Sequence, residues 1–310
     1  MLSARSRALL EHYSLASQAL SRYSGERLAR EVGQSVEFHD FRPYQRGDEI
    51  RYVDWKVYAR SKRLYTRLYQ AERSIHAHIL LDTSASMHVG HKARFARICA
   101  YMLSYAVQQD ASCQIHHFHG SSSPSMRGRA RIPESWEFID SGAETSQAAA
   151  EPSPSGQAIG ASEAIMQFAR HTSRQGGAAL VLVLSDLLEP HALRPALVAL
   201  KARGFDASFL HIMAKSDLFP EEGQLELHDA ESHEKLLVGP EEVRLYRARV
   251  QHFVERCRAS ILQANFRYSL LQVADHETSP EDISDDAEAR FQLERDALAA
   301  LIAAGIFIKR

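Results

Sequence analysis

His76-Ala77-His78-Ile79-Leu80-Leu81-Asp82-Thr83-Ser84-Ala85-Ser86 decides the fold: a short apolar run stops at an acid and passes into a serine-rich turn. A second run, Ala178-Ala179-Leu180-Val181-Leu182-Val183-Leu184, is the most apolar in the chain and ends the same way, at Ser185-Asp186. Runs of this kind read as strands buried on both faces, as in a parallel sheet covered by helices on each side. Outward from them the pattern alternates. Residues 92–109 read as a helix, 113–118 as a strand, and 157–171 as a helix. Pro190 sits at a first helical position and opens a helix to residue 203. Then follow a strand over 207–213, a hairpin-like stretch, a long helix over 240–263, a strand over 266–273 and a helix over 286–304.

This alternation from residue 75 onward predicts an α/β fold with a doubly wound, mostly parallel, Rossmann-like sheet. Residues 75–310 form that domain, with an inserted loop or extra strand region at about 120–150 and a hairpin at about 224–238. Residues 1–74 form an N-terminal helical and β-rich extension. In it a helix runs from residue 2 to about 23 and stops at Ser24-Gly25; β-branched and aromatic residues around a Gly-Asp turn then predict short strands.

In such a sheet ligands bind beyond the carboxyl ends of the strands, where the strand order reverses. Asp82 and Asp186 both stand at strand ends, and Ser84 and Ser86 follow the first of them. If the two strands are neighbours, carboxylates and hydroxyls converge on one point. Two like charges together are costly unless a positive group sits between them. An oxygen-only set suits a hard cation, Mg²⁺ or Mn²⁺, that keeps waters and an open position. On its own, D-x-S-x-S is also what a polar strand-to-helix turn looks like; the matching Ser185-Asp186 is what favours a metal.

The stretch His78-Ile79-Leu80-Leu81-Asp82-Thr83-Ser84-Ala85-Ser86-Met87 resembles the metal-ion-dependent adhesion motif of von Willebrand A domains. Upstream, the segment from Val36 to Trp55, with Glu37, Phe38, Arg42, Tyr44, Gly47, Asp48, Arg51, Asp54 and Trp55 in register, is similar to the signature of a bacterial family known as domain of unknown function 58. The resemblance implies a von Willebrand A-like domain that holds a divalent ion through Asp82, Ser84, Ser86 and Asp186. It also implies a protein partner, because the family often accompanies MoxR-type AAA+ ATPases that remodel or mature other proteins. One position departs from the pattern. Where the family supplies a Thr from a Gly-Gly-Thr-like turn, Ser155-Gly156-Gln157-Ala158 puts Gln157, whose longer arm changes the geometry; Ser153 or Ser155 is the alternative donor. The signature residues Arg42, Asp48, Arg51 and Asp54 suit either paired ion bonds that lock the segment in place or a partner-facing surface.

The function that follows is a non-enzymatic, metal-dependent adaptor working with a MoxR-type AAA+ ATPase, or binding its client, in protein maturation or remodelling. The alternative is a Mg²⁺-dependent hydrolase or phosphatase using Asp82. Against it, haloacid-dehalogenase-type phosphatases have a second Asp two residues on, and that position is Ser84. The chain contains neither a G-x-x-x-x-G-K-[ST] phosphate loop nor a G-x-S-x-G elbow around Ser84 or Ser86.

Composition bounds the rest. With 310 residues, 45% hydrophobic and 25% charged, the chain is long enough for a sizeable core. No window approaches the roughly 18 apolar residues of a membrane span, and the first twenty residues lack an export-type apolar region, so a cytoplasmic protein is expected. The net charge of −2 divides unevenly: residues 1–74 carry 14 Lys/Arg and 9 Asp/Glu (+5), residues 221–310 carry 11 and 18 (−7). The basic residues are spread among acids rather than run together, which argues against nucleic acid. Cys99, Cys113 and Cys257 are too far apart for a zinc ribbon or redox pair and read as buried thiols. His116, His117 and His119 look like a metal cluster, but on a strand only His117 and His119 share a side.

Overall fold

In the computed structural model of the chain, residues 2–15, 38–69, 76–148, 160–172, 179–188, 193–220, 225–228, 235–274 and 287–309 are described. They divide into two compact units, one of residues 1–19 with 75–310 and one of residues 20–74.

The larger unit opens with a helix, Ala4–Leu10, and strand β1, Tyr13–Leu15. The smaller holds β2, Phe38–Pro43, a helix, Trp55–Ser61, and β3, Tyr65–Tyr69, which pairs antiparallel with β2. The larger unit resumes at β4, His76–Leu81, then β5, Ser112–His117, β6, Met126–Arg127, β7, Ala179–Ser185, and β8, Asp206–Ala214. A hairpin of β9, Leu225–His228, and β10, Lys235–Val238, precedes β11, Arg267–Val273, and β12, Phe307–Lys309.

Among the described residues six strands form the central sheet in the order β11-β8-β7-β4-β5-β6, all parallel except the short edge strand β6. From β4 the chain goes one way to β5 and β6, then returns past β4 to β7, β8 and β11. Strand order therefore reverses between β4 and β7, the switch point of a doubly wound sheet. The predicted Rossmann-like fold class is the one observed.

Alternation along the strands explains the two-faced burial. Ile79 and Leu81 of β4, with Leu180, Leu182 and Leu184 of β7, pack on one face against the helices Lys92–Asp110, Ile132–Ala148 and Ala287–Ala303. Leu80, Val181 and Val183 pack on the other, against the helices Ala161–His171, Leu193–Ala202 and Pro240–Gln263. Each fully buried aliphatic side chain contributes about 1.5–3 kcal/mol. The three cysteines are free and buried in these cores. No helix among the described residues is long and apolar enough to cross a membrane.

Three stretches differ from the sequence reading. The first helix stops at Leu10 and Tyr13–Leu15 is a strand, because Tyr13, Ser14 and Leu15 pair with Lys309, Ile308 and Phe307 from the far end of the chain. Between residues 120 and 148 the extra strand is present as β6, and the stretch expected to be loop holds a 17-residue helix, on which Ile132, Trp136 and Ile139 are spaced to meet the core. Between β2 and β3 lies the helix Trp55–Ser61, capped by Asp54, whose carboxylate accepts from the backbone N–H groups of Lys56 and Val57. Of the four charged signature residues, Arg42 does pair with Asp48, at 2.6 Å, while Arg51 pairs with Glu49 instead.

Candidate metal centre

β4 and β7 lie side by side with Leu81 opposite Leu184, and the Asp82 N–H donates to the Leu184 carbonyl at 3.0 Å. Asp82 and Asp186 thus leave adjacent strands at the switch point, and both are buried. Asp82 is held on each oxygen: Oδ1 accepts from the Ser84 N–H at 2.9 Å, Oδ2 from the Ser185 hydroxyl at 2.5 Å. Burial, and after it the Asp186 charge, raises the Asp82 carboxyl to about 6, although the Ser185 and Ser84 bonds pull the other way.

The Ser84 and Ser86 hydroxyl oxygens are 3.0 Å apart. An octahedral ion with oxygens at 2.0–2.1 Å has neighbouring ligands roughly 2.9 Å apart, so the two hydroxyls match one edge of such a shell. By donor chemistry, hydroxyls beside two carboxylates, the residues present are of the type that Mg²⁺ or Mn²⁺ takes. Among the described residues no three His, Cys, Asp or Glu side chains converge as ligands, so the fit rests on hydroxyls beside two carboxylates. Gln157, and the alternatives Ser153 and Ser155, lie outside the described residues.

Several side chains that the motif did not point to complete the site. Lys92 opens the long helix after the serine turn and is buried, with Nζ 2.9 Å from Asp186 Oδ2 and 3.1 Å from Asp217 Oδ2. Burial opposes its charge, but the Asp186 and Asp217 carboxylates outweigh that and raise the Lys92 pKa. The only signal in sequence was a Lys at the start of a helix after the motif, and nothing local says that it turns inward. His211 of β8 donates from Nε2 to the Asp186 carbonyl at 2.8 Å, so in the neutral ring its Nδ1 accepts from the Tyr268 hydroxyl, also at 2.8 Å. Burial lowers His211 to about 4, which keeps it in that neutral form. Leu187 stands at φ 51°, a strained value for a non-glycine residue, with its N–H bonded to Ser185 Oγ.

The histidines of β5 separate. His116 is 3.1 Å from His78 and 2.8 Å from the Ser122 hydroxyl, beside the Phe168 ring. His117 and His119 lie on the other side with ring centres 5.2 Å apart, and His119 Nδ1 is 2.9 Å from the Thr83 hydroxyl, beside the serine turn. The rim is apolar in three places. Val89, Leu188 and Phe219, one from each loop following β4, β7 and β8, are 47%, 52% and 52% exposed.

Solved structures similar to the chain include the following two. One, a von Willebrand factor type A protein from Catenulispora acidiphila, is 12% identical over 75% of this chain and 45% of that one, with a TM-score of 0.36. The other, proximal thread matrix protein 1 from the mussel byssus, is 14% identical over 45% of this chain and 38% of that one, with a TM-score of 0.31. This chain therefore spans less than half the length of either. No curated protein matches it. The family model described as "Protein of unknown function DUF58" matches residues 40–260, from within β2 to within the long helix Pro240–Gln263, and the chain belongs to that family.

Proposed function

We propose that the sheet edge carrying Asp82, Ser84, Ser86 and Asp186 is a docking face for a protein partner, and that Mg²⁺ or Mn²⁺ held there contributes to the contact. The observation that carries this reading is the apolar rim. Val89, Leu188 and Phe219, on the segments that follow the neighbouring strands β4, β7 and β8, stand in solvent at the same sheet edge as the oxygen-rich centre. Large apolar side chains gathered in solvent next to polar groups are a feature of surfaces that bind other proteins. A partner carboxylate would take an open position on the ion, as hard cations permit.

The finer reading names the partner as a MoxR-type AAA+ ATPase or a client it handles. Its support is the resemblance of the motif and signature to that family. The chain then acts as an adaptor without turnover of its own, and Gln157 stands in for the Thr of the family turn as a further ligand. Asp82 supports a holding role over a nucleophilic one, since both its oxygens are engaged by neighbouring donors.

Asp82→Ala and Ser84→Ala test this reading together. Calorimetric titration is expected to show Mg²⁺ binding in the wild type and none with Asp82→Ala. Pull-down of the ATPase or client is expected to fail with either variant. Equal metal binding in Asp82→Ala moves the metal elsewhere, and partner capture by both variants moves the interface. Phosphatase activity lost in Asp82→Asn would favour the hydrolase reading instead.

A further inference from the structure

We infer that Lys92 is the internal cation of this site and competes with a divalent ion for Asp186, with Asp217 as the acceptor that holds the ammonium when Asp186 is given up. The inference rests on the metal reading above and concerns its regulation. Lys92 is buried, its side chain 4% exposed, and a lone ammonium at that depth is unfavourable unless carboxylates face it. Two do, and they differ. Asp186 is as deep as Lys92, with its side chain 2% exposed, and belongs to the candidate ligand set. Asp217 is the wetter partner, 20% exposed, on the short helix Lys215–Leu218 that follows β8. Its Oδ2 also accepts from the Ala214 N–H at 3.3 Å, so it stays in place without Lys92.

Nζ sits between the two carboxylates at nearly equal distances, 2.9 and 3.1 Å, so a small rotation of the side-chain end favours either. A second positive charge beside Asp186 repels the ammonium, and Lys92 then leans on Asp217. The packing keeps both acceptors in reach. Gly90, at φ 65°, lies so close to Ala214 that a Cβ there would be 2.4 Å from the Ala214 side chain, and this seats the turn before Lys92 against the end of β8. With no divalent ion bound, Lys92 neutralises the carboxylates; with one bound, it opposes the ion. Lys92 and Asp217 therefore set the ion concentration at which the site fills.

The experiment measures Mg²⁺ affinity by calorimetry, and the Mg²⁺-dependent rise in melting temperature, for the full chain as wild type, Lys92→Met and Asp217→Asn, with Asp82→Ala as the site control. Lys92→Met keeps the stem and removes the charge. It is expected to melt lower without Mg²⁺, to bind Mg²⁺ about tenfold more tightly, and to gain more from it than the wild type. Asp217→Asn keeps the shape and leaves Lys92 to Asp186 alone; binding is expected to weaken several-fold. A purely structural role for Lys92 would weaken binding in both variants. If the wild type binds through Asp82 but Lys92→Met binds no tighter, the competition is overturned and the metal reading stands. If the wild type takes up no Mg²⁺ and Lys92→Met does, Lys92 is the block and the inference holds. If neither binds, both readings fall. Should Lys92→Met not fold, Asp217→Asn, at a partly exposed position, still decides: unchanged affinity overturns the proposal.

Discussion

Asp82 carries the clearest conflict between stability and site at the scale of one residue. Its carboxyl is raised to about 6 from an ordinary 3.8, by burial first and by Asp186 second. A carboxyl raised on folding favours the fold fully below about pH 3.8, and that contribution is lost as pH rises through about 6. At neutral pH the ionised group therefore works against the metal-free fold. Asp82→Asn keeps the shape without the charge and is expected to stabilise the protein by about 1–3 kcal/mol at pH 7 in chelator. The same variant should lose any Mg²⁺-dependent stabilisation. Denaturant unfolding with and without Mg²⁺ checks both, and a variant less stable than wild type in chelator would show that the two charges are compensated in another way. The motif reading named Asp82 and its serines but not this tension, because the second charge arrives from a strand about a hundred residues away.

At the scale of elements, helix Ile132–Ala148 is where pattern reading fell short. Ser-rich residues 120–125 read as loop, and the apolar residues 132, 136 and 139 were too few to announce a helix alone. Packing supplies what the pattern lacked: Trp136 and Ile139 enter the core, and the His117 ring stacks on Phe138 with centres 4.8 Å apart. Gly142 of that helix is the contact that allows this approach, since a Cβ there would lie 2.5 Å from His117 Cε1 and Nε2. Gly142→Ala is expected to cost about 1–3 kcal/mol despite the better helix propensity of alanine. The cost should largely vanish in a His117→Ala background, because the clash is with that ring. Thermal unfolding of the two single variants and the double variant checks it; equal losses from Gly142→Ala in both backgrounds would place the strain elsewhere.

For the molecule as a whole, the two ends of the larger unit close on each other. Glu294, 1% exposed on helix Ala287–Ala303, accepts from the Ser3 N–H at 3.0 Å and from the Ser3 and Ser6 hydroxyls at 2.5 and 2.6 Å. Close by in the fold, β1 pairs with β12. A buried carboxylate held by several donors is costly to disturb from either side. Glu294→Ala is expected to lose about 2–4 kcal/mol. Ser3→Ala with Ser6→Ala should lose somewhat less, with faster amide exchange in residues 4–15 while the central sheet stays protected. Uniform loss of protection across β4, β7 and β8 instead would make this clasp part of the global unfolding unit.

The sequence by itself determined what a single segment can express. Apolar runs at 76–81 and 178–184 had to be strands covered on both faces, the helix opened by Pro190 is seen as Leu193–Ala202 with Pro190 itself outside the described residues, and Asp82 and Asp186 had to stand at strand ends with Ser84 and Ser86 just beyond the first. These follow from local periodicity and from partition between core and solvent, which each segment settles alone. Only the tertiary structure decided that β4 and β7 are neighbours, that Lys92 turns inward between Asp186 and Asp217, that His211 holds the Asp186 carbonyl, and that residues 13–15 are a strand. Each of these is a meeting of groups far apart in the chain. Such meetings depend on strand order and crossover path, and no local run of residues carries that information.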